Sequence, residues 1–183
     1  MRIIRKSELT TANWAHGTTT QLYIFPESAT YKELNFDFRI STATVESETT
    51  KFSSLPGVKR TLMVLEGTLE LVHKDHHSTI LNPLESDSFL GDWETTSGGK
   101  VVDFNVMVRD PKLSAQVKPI LLGKKRTLDL DSSNISFIYV FKGDIILNGN
   151  TNLIKGDSVY FDPGDTVSLL ANASSVLIYV TIQ

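Results

Sequence analysis

The stretch VDFNVMV, residues Val102–Val108, sends successive side chains to opposite sides of an extended chain. The odd-numbered residues Asp103, Asn105 and Met107 are polar or polarisable, and the even-numbered residues are Val or Phe. A period of two is typical of a β-strand that buries one face. The stretch FDFRIS, residues Phe36–Ser41, alternates in the same way, and no window of the chain shows a convincing amphipathic helix. The sequence therefore predicts an all-β protein.

Further β-rich runs lie on both sides of these two stretches. They are Gln21–Phe25, Thr61–Val72, Ser136–Leu147, Ser158–Phe161 and Val176–Ile182. Clusters of Gly, Pro, Asn and Asp separate them, and such residues favour tight turns. Short strands at this spacing are typical of a β-sandwich or a barrel.

The two halves of the chain resemble each other. Val64–Leu71 consists of two β-forming residues, a charged residue, a glycine and an alternating run. Val140–Leu147 repeats this order 76 residues later. Asp87–Leu90 is matched by Asp157–Tyr160 with an offset of 70 residues. Two blocks in the same order at nearly the same spacing indicate a duplicated unit.

The second half carries a more specific signal. Lys155–Asp165 resembles the second signature of the cupin superfamily, a glycine turn, a strand and a proline-glycine turn. Leu65–Gly67 and Phe141–Gly143 resemble the end of the first cupin signature. This resemblance implies a bicupin, two tandem jelly-roll β-barrels packed as one unit. We expect an N-terminal barrel over residues 1–110, a smaller barrel over 120–183, and a connector or helical turn over 111–119.

Composition excludes several classes of function. The chain has 183 residues, with 18 Lys and Arg against 21 Asp and Glu, so its formal charge is −3. No basic excess exists to neutralise nucleic-acid phosphates. The absence of Cys excludes disulfides and thiolate metal sites. The N-terminus lacks a signal-peptide pattern, and no apolar run approaches the ~20 residues of a membrane span. We expect a soluble, cytoplasmic protein.

The sequence offers no familiar metal site or catalytic motif. Metal-binding cupins use a His-x-His pair, but here two cations, Lys59 and Arg60, stand before the glycine turn. The only histidine cluster, His73–His77, is predicted to be a solvated hairpin tip. The adjacent His76 and His77 should point to opposite sides of an extended chain. We therefore expect no metal, no cofactor and no catalytic residue.

Polar side chains on the predicted strands leave two interpretations open. Arg39 and Ser41 share one face of their strand, as do Asp103 and Asn105. These faces are either solvated or line a polar pocket at a barrel mouth. Arg60 leads into a strand whose apolar residues predict burial on both faces. Its guanidinium then needs a carboxylate partner or an anionic ligand.

Five motifs in order resemble the HutD/Ves family of bacterial bicupins. They lie at Trp14–Leu22, Asp37–Ala43, Phe52–Gly67, Gly91-Asp92 and Asp103–Met107. The resemblance implies a metal-free bicupin linked to histidine utilisation or to stress and cold responses. It also favours the pocket interpretation. The implied ligand-binding residues are Arg39, Arg60, Asp103, Asn105, Ser41, Met107, Trp14, Thr20, Glu66 and Asp92, with Trp14 or Thr20 closing the mouth.

Two classes of function remain at this point. The first is a non-enzymatic regulatory protein that binds a small polar or carboxylate metabolite through Arg39 and Arg60, with Asn105 fixing its orientation. The second is a metal-free isomerase or lyase in which Asp103 or Glu66 acts as general base. No motif identifies a proton-transfer pair, so we favour the binding protein. Nucleic acid and membrane are not expected partners, and a homodimer is an open expectation.

Overall fold

The fold is built almost entirely from β-strands. The computed structural model describes all residues from Met1 to Gln183 and contains nineteen strands and one short 3-10 helix, Lys6–Glu8. The first strand, β1, is Arg2–Ile4. All strand pairings are antiparallel. No helix has the length and apolar character needed to cross a bilayer. The prediction of an all-β protein is confirmed.

The chain folds as two compact units. One, called here the inserted unit, is Thr10–Ser114; the other, the split unit, joins Met1–Leu9 to Ala115–Gln183. The strands of the inserted unit are β2 (Thr11–Trp14), β3 (Gly17–Phe25), β4 (Phe38–Val45), β5 (Thr49–Lys51), β6 (Lys59–Glu66), β7 (Leu69–His73), β8 (His77–Leu81), β9 (Ser86–Leu90), β10 (Thr95–Gly98) and β11 (Val101–Val108).

The remaining strands complete the split unit. They are β12 (Ala115–Leu122), β13 (Thr127–Asp131), β14 (Ile135–Lys142), β15 (Asp144–Leu147), β16 (Thr151–Ile154), β17 (Ser158–Phe161), β18 (Thr166–Ala171) and β19 (Ser175–Ile182). The 1–110 assignment differs from the structure at its start, because Met1–Leu9 belongs to the split unit. There β1 pairs with β17, and Arg2 lies opposite Tyr160.

The repeat seen in the sequence is also a repeat of strand order. The inserted unit has a six-stranded sheet, β2-β3-β4-β11-β6-β9, and a four-stranded sheet, β5-β10-β7-β8. The split unit has a five-stranded sheet, β1-β17-β14-β19-β12, and a four-stranded sheet, β13-β18-β15-β16. Setting aside β1, β2 and β3, the eight strands β4–β11 and the eight strands β12–β19 occur in the same spatial order.

Equivalent glycines make the turns at equivalent points of the repeat. Gly67 follows β6 with φ +88°, and Gly143 follows β14 with φ +96°. A Cβ on Gly67 would lie 2.5 Å from the Lys100 carbonyl oxygen, and one on Gly143 would overlap the Ser175 side chain. Positive φ and close approach together require glycine.

Each unit buries its own apolar core between its two sheets. In the split unit the core cluster takes Val140 and Leu177 from the larger sheet, and Leu147 and Leu169 from the smaller one. In the inserted unit it takes Val64 from β6 and Leu71 from β7. Both alternating side-chain sets of β6 are buried over Leu62–Leu65, which explains the continuous apolar run there.

The predicted connector is shorter in the structure than in the sequence analysis. Strand β11 ends at Val108 and β12 begins at Ala115, so this connection is residues 109–114 with a turn at Pro111 and Lys112, and no helix forms there. Pro119 lies inside β12, opposite Ile178. Because β12 is the edge of its sheet, the missing N–H of proline removes no ladder hydrogen bond on the open side.

Candidate functional site

A patch of polar side chains lies on the inner face of the six-stranded sheet. On β11, Asp103, Asn105 and Met107 point to this face. Met107 lies opposite Arg39 of β4 on one side and opposite Arg60 of β6 on the other. The two arginines thus lie on the two strands that flank β11, and their Cα atoms are about 10 Å apart. We call Arg39, Arg60, Asp103 and Asn105 the polar patch.

All four side chains of the polar patch are buried. Their residues are 6 %, 8 %, 5 % and 6 % exposed, in the order given above. The patch is therefore not a solvated sheet face, and each group needs interactions that replace water.

Arg39 is held in place by its own neighbours. Its Nε donates to Oε1 of Gln21 at 2.9 Å, and its Nη1 donates to Oγ of Ser41 at 3.0 Å. The guanidinium carbon lies 4.6 Å from the centre of the Tyr31 ring, a cation–π distance. Burial lowers the pKa of Arg39, and Tyr31 opposes this effect. The neighbours that touch Arg39 are neutral, so its charge is available to an anion.

Arg60 packs against two aromatic rings. Its guanidinium carbon lies 4.7 Å from the centre of the Phe52 ring and 5.2 Å from that of Phe89. Burial lowers the pKa of Arg60 to about 10, against the opposing influence of Asp103 and Tyr31. The buried Nε has no hydrogen-bond partner. A buried donor without an acceptor costs about 1–3 kcal/mol, so this atom is poised to donate to a ligand.

Asp103 and Asn105 present unpaired acceptor atoms beside the arginines. Oδ1 of Asp103 and Oδ1 of Asn105 are both buried without a hydrogen-bond partner. Burial raises the pKa of Asp103 to about 7, although the charge of Arg60 lowers it. Near neutral pH, the Asp103 carboxyl can therefore either accept or donate a hydrogen bond. The patch can bind an anion through the arginines and a hydroxyl, amide or acid group through Asp103 and Asn105.

Two more predicted residues lie with the polar patch. The hydroxyl oxygen of Ser41 accepts a hydrogen bond from Arg39, and Ser41 lies opposite Asn105. Met107 is buried between the two arginines, where it also packs in an apolar cluster with Ile24 and Val58. This cluster supplies an apolar boundary beside the charged groups.

Four other predicted residues lie outside the polar patch. Trp14 is 40 % exposed at the β2–β3 hairpin, where it pairs with Gly17, and the register puts it six residues along β4 from Arg39. Thr20 points to the opposite face from Gln21 and hydrogen-bonds Thr11 at 2.7 Å. Neither one closes a mouth over the arginines.

Glu66 and Asp92 are the other two predicted site residues that lie outside the polar patch. Glu66 is exposed at the end of β6, and Asp92 is exposed on the turn after β9. Glu66 is therefore not placed to act as a general base in the polar patch.

The residues that surround the two arginines, Gln21, Tyr31, Phe52 and Phe89, carry no signal in the sequence that marks them as site residues. Gln21 faces inward because of a bulge between Gln21 and Tyr23, which alternation alone cannot reveal. Tyr31 lies in the loop before β4, and Phe52 and Phe89 read as ordinary core residues. Only the cation–π distances identify them as part of the site.

The histidine cluster is also different from the solvated tip that was predicted. His73 is only 2 % exposed, and its Nε2 lies 2.9 Å from Oδ2 of Asp87. Nε2 of His77 lies 2.9 Å from the same oxygen. The prediction failed because it considered the neighbours His76 and His77, whereas His73 and His77 face each other across the β7–β8 hairpin. Burial lowers the pKa of His73.

The family of the chain follows from a comparison over almost its full length. The model of the HutD family matches residues 6–179. The chain belongs to the HutD family. The match covers all four residues of the polar patch, and it confirms the resemblance found in the sequence motifs. A comparison with curated proteins returned no match.

Solved structures support the same fold. A conserved protein of unknown function from Pseudomonas aeruginosa PAO1 superposes with TM-score 0.83 at 21% identity, covering 100% of this chain and 98% of that one. HutD from Pseudomonas fluorescens SBW25, in a formate condition, gives TM-score 0.77 at 21% identity with the same coverages. The bacterial pirin YhhW of Escherichia coli, in complex with nickel(II), superposes with TM-score 0.75 at 13% identity, covering 98% of this chain and 97% of that one. The fold of this HutD-family chain is therefore cupin-like.

Proposed function

We propose that this HutD-family protein is a non-enzymatic binding protein for small carboxylate metabolites, with a sensing or regulatory role. One observation carries the proposal. Nε of Arg60, Oδ1 of Asp103 and Oδ1 of Asn105 are buried on one sheet face without hydrogen-bond partners. Folding leaves such atoms unpaired at a cost of about 1–3 kcal/mol each, which a ligand can remove.

The charges of the polar patch favour an anion. Arg39 and Arg60 bring two guanidinium groups into a buried site that holds one carboxyl group, Asp103. A ligand carboxylate supplies the missing negative charge and accepts from planar guanidinium donors. The apolar neighbours Met107 and Phe89 limit the size and polarity of what fits beside it.

The architecture we propose is that of a bicupin. Eight strands in two four-stranded layers, repeated once in the same order, support two jelly-roll units. The polar patch lies in the inserted unit only. The split unit has mainly apolar residues at its core, including Val140, Phe161 and Leu169. We propose that ligand binding belongs to the inserted unit.

One observation favours an enzyme as the second candidate. A pKa of about 7 for Asp103 is the value expected of a general base working near neutral pH. In this alternative the protein is a metal-free isomerase or lyase, and Arg39 and Arg60 hold the substrate carboxylate. Conversion of a bound carboxylate, followed by NMR and abolished in Asp103→Asn, distinguishes the enzyme from the binding protein.

Calorimetric titration with sodium formate, acetate, succinate and glutamate tests the proposal. At least one of these should bind, and Arg60→Ala should weaken it roughly thirtyfold or more, because a buried charged hydrogen bond is lost. Arg126→Ala is the matched control, since Arg126 is exposed in the split unit. The proposal fails if no carboxylate binds, or if both variants bind equally well.

A further inference from the structure

A second group of polar side chains bridges the two sheets of the inserted unit. His73 ends β7, His77 begins β8, and Asp87 lies on β9. Strands β7 and β8 belong to the four-stranded sheet, whereas β9 belongs to the six-stranded sheet. We call His73, His77 and Asp87 the His–Asp cluster. It shares no residue with the polar patch, although the Phe89 ring lies near both His73 and Arg60.

The ligand atoms of the His–Asp cluster converge on one point. The two imidazole Nε2 atoms each lie 2.9 Å from Oδ2 of Asp87, and the candidate ligand atoms all lie within 4.8 Å of one another. Around a tetrahedral ion with bonds of about 2.0–2.1 Å, neighbouring ligand atoms are about 3.3 Å apart. To accept an ion, the two His–Asp distances would lengthen by about 0.4 Å, and the distance between the two Nε2 atoms, which is at most 4.8 Å, would shorten by at most about 1.5 Å.

Thr95 orients the buried imidazole for ligation. Its Oγ1 lies 2.8 Å from Nδ1 of His73 and 3.3 Å from the carbonyl oxygen of Trp93. A hydroxyl has one hydrogen. Without an ion, the 2.9 Å contact between Nε2 of His73 and Asp87 holds a hydrogen. With an ion in place of that hydrogen, Thr95 donates to Trp93, Nδ1–H of His73 donates to Thr95, and the Nε2 lone pair is free to bind the ion. An outer partner on the second nitrogen is the usual support of a metal-binding histidine.

The cluster is also accessible from solvent. The side chain of His73 is fully buried, while those of His77 and Asp87 are 41 % and 18 % exposed. One buried, oriented ligand and two accessible ones leave a route for an ion. Two imidazole nitrogens and one carboxylate oxygen suit a divalent transition metal better than Mg²⁺ or Ca²⁺, which prefer oxygen ligands.

We propose that His73, His77 and Asp87 form a mononuclear site for a divalent transition-metal ion of the Zn²⁺ type. The three side chains supply Nε2, Nε2 and a carboxylate oxygen, and the fourth position is open to water. The bound ion ties the β7–β8 hairpin to β9 and thus one sheet to the other. This proposal departs from the metal-free expectation of the sequence, which rested on the absence of a His-x-His pair.

Titration of chelator-treated protein with Zn²⁺ and with Co²⁺ tests the site. We expect one equivalent to bind and Co²⁺ to give the visible absorption of a tetrahedral complex. His77→Ala should weaken Zn²⁺ binding more than about a hundredfold, because loss of a ligand exceeds the 10–100-fold effect of an outer partner. The exposed neighbour His76 is the matched control, and His76→Ala should stay within about threefold of the parent.

Two further variants test the site without replacing the buried His73. Asp87→Asn should weaken Zn²⁺ binding as His77→Ala does, and Thr95→Val should weaken it by about 10–100-fold through the imidazole orientation. Absence of stoichiometric binding overturns the proposal. Equal losses in His76→Ala and His77→Ala also overturn it, since they would indicate ordinary surface histidine binding.

Discussion

The clearest prediction concerns the pH dependence of stability caused by Asp103. Its pKa is 3.8 in an exposed chain and about 7 in the folded protein, because burial opposes the charge. Arg60 faces the carboxyl group, and Arg39 and Tyr31 act on Arg60 in turn. Below pH 3.8 the group is protonated in both states. Between pH 3.8 and about 7 it stays protonated only when folded, so rising pH favours unfolding.

The size of the effect follows from the shift. Each pKa unit is worth about 1.4 kcal/mol, so the shift of about 3 units corresponds to about 4 kcal/mol. Asp103→Asn keeps the shape of the side chain and removes the titration. The free energy of unfolding of the parent should fall relative to this variant by up to about 1.4 kcal/mol per pH unit, and the difference should stop growing above pH 7.

Urea unfolding of both proteins from pH 4 to pH 8 measures this difference. The buffers should be cationic amines, because acetate or phosphate would itself bind near the arginines. Asp92→Asn is the control, since Asp92 is exposed, and its stability should run parallel to that of the parent. Parallel curves for Asp103→Asn and the parent would show that the carboxyl group is solvated or fully paired, and would refute our account of the polar patch.

The remaining predictions concern the framework that holds the site. Gly67→Ala should destabilise the protein by more than about 2 kcal/mol, because it adds a backbone clash to positive-φ strain. Gly57→Ala, with open space around it, should destabilise the protein by only about 1–2 kcal/mol. Thermal or urea unfolding measures both changes. Asp157 accepts from Arg5 at 2.8 Å and from the Lys6 backbone at 2.9 Å. Asp157→Ala should cost about 3–5 kcal/mol and increase hydrogen exchange in residues 1–9; unchanged exchange there would contradict this role.

Local sequence patterns were sufficient to predict the strands and which polar side chains share a strand face. The alternation in Val102–Val108 places Asp103 and Asn105 on one face, and this follows from the backbone period alone. Their burial depends on what covers the face, which a strand pattern does not contain. The motif resemblance supplied that information in advance for Arg39 and Arg60.

Long-range pairing explains what the sequence could not predict. The His–Asp cluster needs a cross-strand pair, His73 and His77, and a carboxylate from a strand in another sheet. Register and sheet contacts of this kind are not encoded in the spacing of neighbouring residues. The same holds for β1, whose three residues have no recognisable signal for pairing with Val159 in β17.

The pairing of β1 with β17 has a consequence for biosynthesis. Residues 2–4 leave the ribosome well before their partners, residues 158–160, which are made more than 150 residues later. Domains fold in order of synthesis, so Thr10–Ser114 can complete its fold while the leading segment is still waiting. Until that segment docks, β17 is an open edge strand that can accept a strand from another nascent chain. A fusion partner that holds back the first residues should therefore promote exchange of β1 between molecules.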